Sequence, residues 1–169
     1  LPTEMSLDSN GQMCFRPIRE LETLRHEKKE KNRIQLKKNS SLLIDGMKGD
    51  HYEIELVISN TGNRSFGIDV LCNEEGEDGL RIKVNREKNL LEVGDQNGGF
   101  TLNSDEPLSL RLFVDARPVG EFEKERQVVM ADKKRLAGSK IKDRIAFFTS
   151  GSDLLIDRLS FWKMKSAYN

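Results

Sequence analysis

The chain has 169 residues, enough for one domain with a real core, since single domains commonly run to about 100–200 residues. Lys+Arg and Asp+Glu are equal at 28 each, so no net field draws in a polyanion, and the composition gives no support to a nucleic-acid binder. No apolar run approaches the roughly 18–20 residues that cross a bilayer, and no basic start leads into an apolar h-region.

The chain opens on Leu1 rather than Met, which gives the expectation that a segment upstream has been removed. Asn10-Gly11 is the first turn signal. From Pro17 to Lys38, Ile18, Leu21 and Leu24 recur at a spacing of three among charged residues, which predicts either a short helix or an extended arm. The basic run within His26–Lys38 has Glu27 and Glu30 interleaved and no aromatic residue, so it reads as a solvated face rather than a polyanion site.

Beyond the arm, alternation with a period of two dominates. Tyr52, Ile54, Leu56 and Ile58 are apolar with His51, Glu53 and Glu55 between them, the pattern of a strand with one dry and one wet face. Leu80, Ile82 and Val84 alternate with Arg81, Lys83 and Asn85, and Leu108, Leu110, Leu112 and Val114 with Ser109, Arg111, Phe113 and Asp115. Further strands are expected over Phe66–Cys72, Asn89–Val93, Gln127–Ala131, Ile141–Thr149 and Leu154–Met164. Turn signals stand at Asp45-Gly46, Thr61-Gly62, Asp78-Gly79, Asn97-Gly98 and Ser150-Gly151. Many short strands at such spacing predict an antiparallel sandwich or barrel.

Residues that carry chemistry are few. Cys14 and Cys72 have neither the spacing of a disulfide framework nor that of a metal knuckle, and read as buried thiols. His26 lies in the charged arm and His51 on the polar side of a strand start, so each reads as an exposed histidine without a catalytic partner. Glu74, Glu75, Glu77 and Asp78 offer oxygen ligands for calcium, but an acidic hairpin loop around Gly76 and Gly79 is the plainer reading. No phosphate loop is present, and no cofactor or metal is expected. Trp162 is the single tryptophan; its ring either stacks on a sugar or packs in or at the edge of the core, and the second reading is preferred.

Several segments together resemble the linker and C-terminal β-sandwich of glycoside hydrolase family 32, the invertases, levanases and inulinases. Leu1-Pro2-Thr3-Glu4-Met5 is similar to the family's Leu-Pro-x-Glu-Leu linker, and Pro17, Glu20, Leu21, Glu22, Leu24 and Arg25 to its Pro-x-x-Glu-Leu-Glu-x-Leu-Arg pattern. Gly49 to Leu56 resembles the first long sandwich strand, Phe66-Gly67-Ile68 a Phe-Gly-Leu segment, Leu110 to Asp115 a strand ending in Val-Asp, and Ile145 to Met164 the closing pair with its Trp-x-Met. One departure follows Asp115, where Ala116 to Phe122 replaces a Val-Glu-Val-Phe stretch; Pro118, lacking an N–H, predicts that this strand begins at an edge or bulge.

The resemblance implies a two-sheet antiparallel β-sandwich of the concanavalin or galectin jelly-roll kind over residues 39–169. On the same resemblance, residues 1–38 are expected to be the linker arm from a catalytic β-propeller. The family's three catalytic carboxylates stand in Asn-Asp-Pro, Arg-Asp-Pro and Glu-Cys. Here the four prolines follow Leu1, Arg16, Glu106 and Arg117, and the cysteines follow Met13 and Leu71, so no such setting occurs. The expectation is a non-catalytic module of an enzyme that hydrolyses fructosyl linkages in sucrose, levan or inulin with retention. Its implied partners are that catalytic domain, a fructan or sucrose, and a second copy, with no nucleic acid or membrane. The resemblance leaves localisation open: it implies a secreted or periplasmic parent if that is a fructanase, and a cytoplasmic one if it is a sucrose-phosphate hydrolase. An autonomous carbohydrate-binding module is the alternative.

Overall fold

A computed structural model describes residues 2–7, 9–11, 13–62, 65–103, 106–115, 119–123, 126–128 and 143–165. The strands in chain order are β1 (Thr3–Leu7), β2 (Met13–Pro17), β3 (Arg25–Leu36), β4 (Ser41–Leu43), β5 (His51–Ile58), β6 (Ser65–Cys72) and β7 (Leu80–Asn85). They continue as β8 (Leu90–Val93), β9 (Gln96–Gly99), β10 (Leu108–Asp115), β11 (Val119–Glu123), β12 (Arg126–Val128), β13 (Arg144–Ser150) and β14 (Leu154–Met164). The first sheet has the order β12-β11-β10-β5-β14-β3 and the second β4-β13-β6-β7-β8-β9, while β1 and β2 form a separate hairpin. Every pairing is antiparallel.

The two large sheets face each other across one core, as the alternation predicts. Tyr52, Ile54, Leu56 and Ile58 of β5, with Leu108, Leu110, Leu112 and Val114 of β10, meet Phe66, Ile68 and Val70 of β6 and Ile82 and Val84 of β7. Each such side chain buried in full contributes about 1.5–3 kcal/mol. In β14 the inward residues change parity, from Leu154 and Ile156 to Leu159 and Phe161, so the strand is irregular at 157–158. Phe161 lies against Tyr52, ring centroids 5.1 Å apart. Burial drives the Tyr52 phenol upward in pKa. The sheet is tightest at Gly67, where a Cβ would come within 2.0 Å of the Ile82 carbonyl oxygen, so only glycine fits. Cys14 and Cys72 are buried and form no disulfide.

Four features differ from the sequence reading. First, Ile18, Leu21 and Leu24 do mark a helix, but it is a 3-10 helix over Arg19–Leu24, whose three residues per turn match a spacing of three. Secondly, the charged run grouped with the arm is β3, which pairs with β14 along its length, so the division expected at residue 38 falls beyond a strand of the first sheet. Its bulge beside Phe161 is taken up at Glu27 (φ 48°), with a second left-handed residue at Arg33 (φ 55°). Thirdly, Asn97-Gly98 lies inside β9, and the β8–β9 turn falls at Gly94, whose φ is 54°. Fourthly, the face of β5 and β10 expected to be wet is covered in part: Glu53 is 0% exposed and Phe113 6%, whereas His51, Ser109 and Asp115 on the same face are exposed. Of the expected strands, residues 129–131 and 141–142 lie outside the described residues, as does Pro118; β11 starts at Val119.

Candidate functional site

What covers that outer face is the arm. The 3-10 helix turns Leu21 down onto Phe113, and Ile18, Leu24 and Met164 pack around the pair, forming a small second core on the far side of the sheet. Backbone bonds tie its ends: Ile18 N–H donates to the Pro2 carbonyl (3.3 Å), and Lys165 N–H to the Leu24 carbonyl (3.0 Å). Beside this apolar patch lies the one fully buried carboxylate among the described residues, Glu53.

Glu53 is held by two guanidinium groups. Arg25 Nε donates to Oε2 (2.8 Å) and Arg25 Nη2 to Oε1 (2.6 Å), the fork geometry that Arg offers a carboxylate. Arg111 Nε donates to the same Oε1. Arg25 Nη2 also donates to Glu55 Oε1 (2.7 Å), and Arg111 Nη2 lies 3.7 Å from Glu22 on the helix. These bonds, the one to Glu53 first, hold the Arg25 guanidinium well above its usual pKa. Arg25 and Arg111 are themselves mostly buried, with side chains 16% and 21% exposed. Charges removed from water in this way persist only when paired and hydrogen-bonded.

Trp162 stands on the same outer face, opposite Glu53 in the β5–β14 ladder, and is half-buried. Its ring is covered by Arg25, whose guanidinium carbon is 4.1 Å from the centroid, with Lys28 Nζ at 5.6 Å. The tryptophan therefore sits outside the main core, stacked on a cation of the network. Between the network and the hairpin runs a groove of about 680 Å³, with Arg16, Arg19, Glu20, Glu55, Arg111 and Arg158 on its walls. Its charges are mixed in sign, and Glu53, which does not line it, is 0% exposed and so inaccessible to a substrate.

The other residues singled out by sequence lie apart from this site. His51 has Nδ1 2.9 Å from Asp50 and Nε2 3.0 Å from Asp115, pinning the start of β5 to the end of β10. The hydrogen bond to His51 holds the Asp50 carboxyl below its ordinary pKa. His26 lines a separate cleft with His51, Lys48 and Asp143. In the acidic loop, Asn73 Oδ1 accepts from the N–H groups of Glu75 (3.1 Å) and Glu77 (2.8 Å), which organises the turn from within. Among the described residues, no group of three or more His, Cys, Asp or Glu is placed to hold a metal ion.

Sequence reading missed Arg25, Glu53 and Arg111 as a unit. The available signal was the opposite charge of Arg111 and of Glu53 and Glu55 at outward positions of β10 and β5, which the register sets side by side.

The hairpin carries an apolar face of its own. Met5 and Leu7 are 69% and 70% exposed, and Met13, opposite Leu7, is 62% exposed. On the reverse side Cys14 is buried, and β2 lies beside β12.

A family model described as glycosyl hydrolases family 32 C terminal matches residues 20–163. Among solved structures, an exo-inulinase from Aspergillus awamori is similar at a TM-score of 0.75 and 14% identity, over 99% of this chain and 36% of that one. A sucrose-6-phosphate hydrolase from Lactobacillus gasseri is similar at 0.69 and 20% identity, over 97% of this chain and 33% of that one. Fructan 1-exohydrolase IIa from Cichorium intybus gives 0.73 and 17%, over 98% and 41%. The chain thus spans between about a third and two-fifths of the length of these enzymes, and what it shares with them at such identities is the fold. No curated protein matches the chain by sequence.

Proposed function

The chain belongs to the C-terminal domain family of the family 32 glycosyl hydrolases, and on that premise we propose that it is the non-catalytic sandwich module of a fructosyl hydrolase, supporting a catalytic domain. The observation that carries this reading is the apolar face of the β1–β2 hairpin. An isolated two-stranded sheet is marginally stable in water, and Met5, Leu7 and Met13 gain by meeting another surface. On the hairpin's other side Cys14 is already buried, with β2 beside β12, so the catalytic domain is the natural occupant of this one. The relatives' substrates, inulin, fructan and sucrose 6-phosphate, indicate the class of linkage cleaved. Hydrolysis with retention there requires a pair of carboxyl groups about 5–5.5 Å apart, which the catalytic domain supplies. Shaping of the substrate cleft or of a dimer are finer roles within the same reading.

Assay of the purified chain with sucrose, inulin and levan is expected to release no fructose; measurable release overturns the proposal. Co-expressed with the catalytic region of its own polypeptide, the chain is expected to co-purify with it, and Met5→Ser/Leu7→Ser/Met13→Ser to weaken that association. The autonomous carbohydrate-binding reading has less support, because the Trp162 ring is already stacked by Arg25. Flat calorimetric titrations with inulin are expected, and saturable binding would favour that alternative.

A further inference from the structure

We propose that Glu53, with Arg25, Arg111 and Trp162, is a lock that fixes the arm and its hairpin on the outer face of the first sheet, whatever the hairpin meets beyond it. The arm's apolar contact is small: Leu21 against Phe113, with Ile18, Leu24 and Met164 around them. A six-residue 3-10 helix has little stability of its own, and hydrophobic contact does not specify an orientation. The ion network does. Arg25 is the residue at which the helix ends and β3 begins, so its side chain fixes the point where the arm leaves the sheet. Its two donors span both oxygens of Glu53, a bidentate arrangement with one favourable geometry. Trp162 supports the same guanidinium from its own strand, at 4.1 Å. Arg111 joins the assembly from β10 and faces Glu22 in the helix, so the acid links the arm to three strands of the sheet.

Hydrogen exchange on the full chain tests this. In Glu53→Gln, the amides of Leu21 and Lys165, which report the helix and its docking, are expected to exchange about tenfold faster or more, while amides of the β5–β10 and β6–β7 ladders keep their protection. Arg25→Lys, which keeps the charge but loses the fork and the stack, is expected to move the same amides in the same direction by a smaller factor. Unchanged arm exchange in a folded Glu53→Gln protein overturns the proposal. So does an equal acceleration across the ladders, which makes Glu53 an ordinary support of the sheet. Should Glu53→Gln not fold, Arg25→Lys and Trp162→Leu carry the test, and unaltered exchange of Leu21 and Lys165 in both overturns it.

Discussion

The outer faces of the two sheets use the same chemistry under opposite conditions. On the first, Arg25 and Arg111 close on Glu53 beneath the arm, and the acid is 0% exposed. On the second, Arg81 grips Asp69 with an equally good fork, Nε at 2.8 Å and Nη2 at 2.7 Å, yet the Arg81 side chain is 56% exposed. Arg81 even repeats the stacking, lying 4.2 Å from the Phe148 centroid. Their fork geometry alone would rank Arg25 and Arg81 as equals. Burial separates them, because a guanidinium left alone at the surface regains water, and one left alone beneath the arm does not.

The largest test of that contrast is Glu53→Ala, which strands two mostly buried guanidinium groups. It is expected to lower stability by about 3–5 kcal/mol, read from the urea midpoint at pH 7. Asp69→Ala should be far milder, about 1 kcal/mol or less, since Arg81 can hydrate and keep its stack on Phe148. Equal losses in the two variants would refute the comparison. The smallest effect belongs to Glu92, whose carboxyl is held below its ordinary pKa by hydrogen bonds from Lys83 (2.9 Å) and Asn85 (2.9 Å). A depressed carboxylate contributes stability that is present above its unfolded pKa of about 4.3 and lost as pH falls through the native value. Between pH 6 and pH 3 the urea midpoint should therefore fall slightly less in Glu92→Gln than in the parent chain.

The sandwich was legible because its core strands obey one rule. In β5, β7 and β10 every second residue enters the core, and the turns at Asp45-Gly46 and Ser150-Gly151 stand where glycine takes a positive φ, 82° at Gly46 and 93° at Gly151. The same rule explains what was missed. Alternation reports which side of a strand a residue occupies, not what covers that side, so Glu53 and Phe113 looked solvated until the arm was laid over them. β3 sends only Ile34 and Leu36 toward the core and is otherwise held by backbone pairing to β14, which leaves no hydrophobic period to read. β9 is Gln96-Asn97-Gly98-Gly99, a strand by hydrogen bonding alone, whose composition is that of a turn. Trp162 reads from sequence as packing in or at the edge of the core, because the guanidinium that lies over its ring belongs to Arg25, far away in the chain.

One consequence of β3 reaches beyond the fold. A twelve-residue strand at the margin of a sheet offers a row of unmatched peptide groups to any extended segment that drifts past, the usual opening for uncontrolled strand addition. Here that margin reads His-Glu-Lys-Lys-Glu-Lys from His26 to Lys31, and its path is bent at Glu27 and Arg33 by left-handed residues. A newcomer would have to lay its own backbone along lysines and across two kinks. The charged run, which sends no side chain of His26 to Lys31 into the main core, thus suits β3 to end the first sheet rather than to recruit neighbours through it.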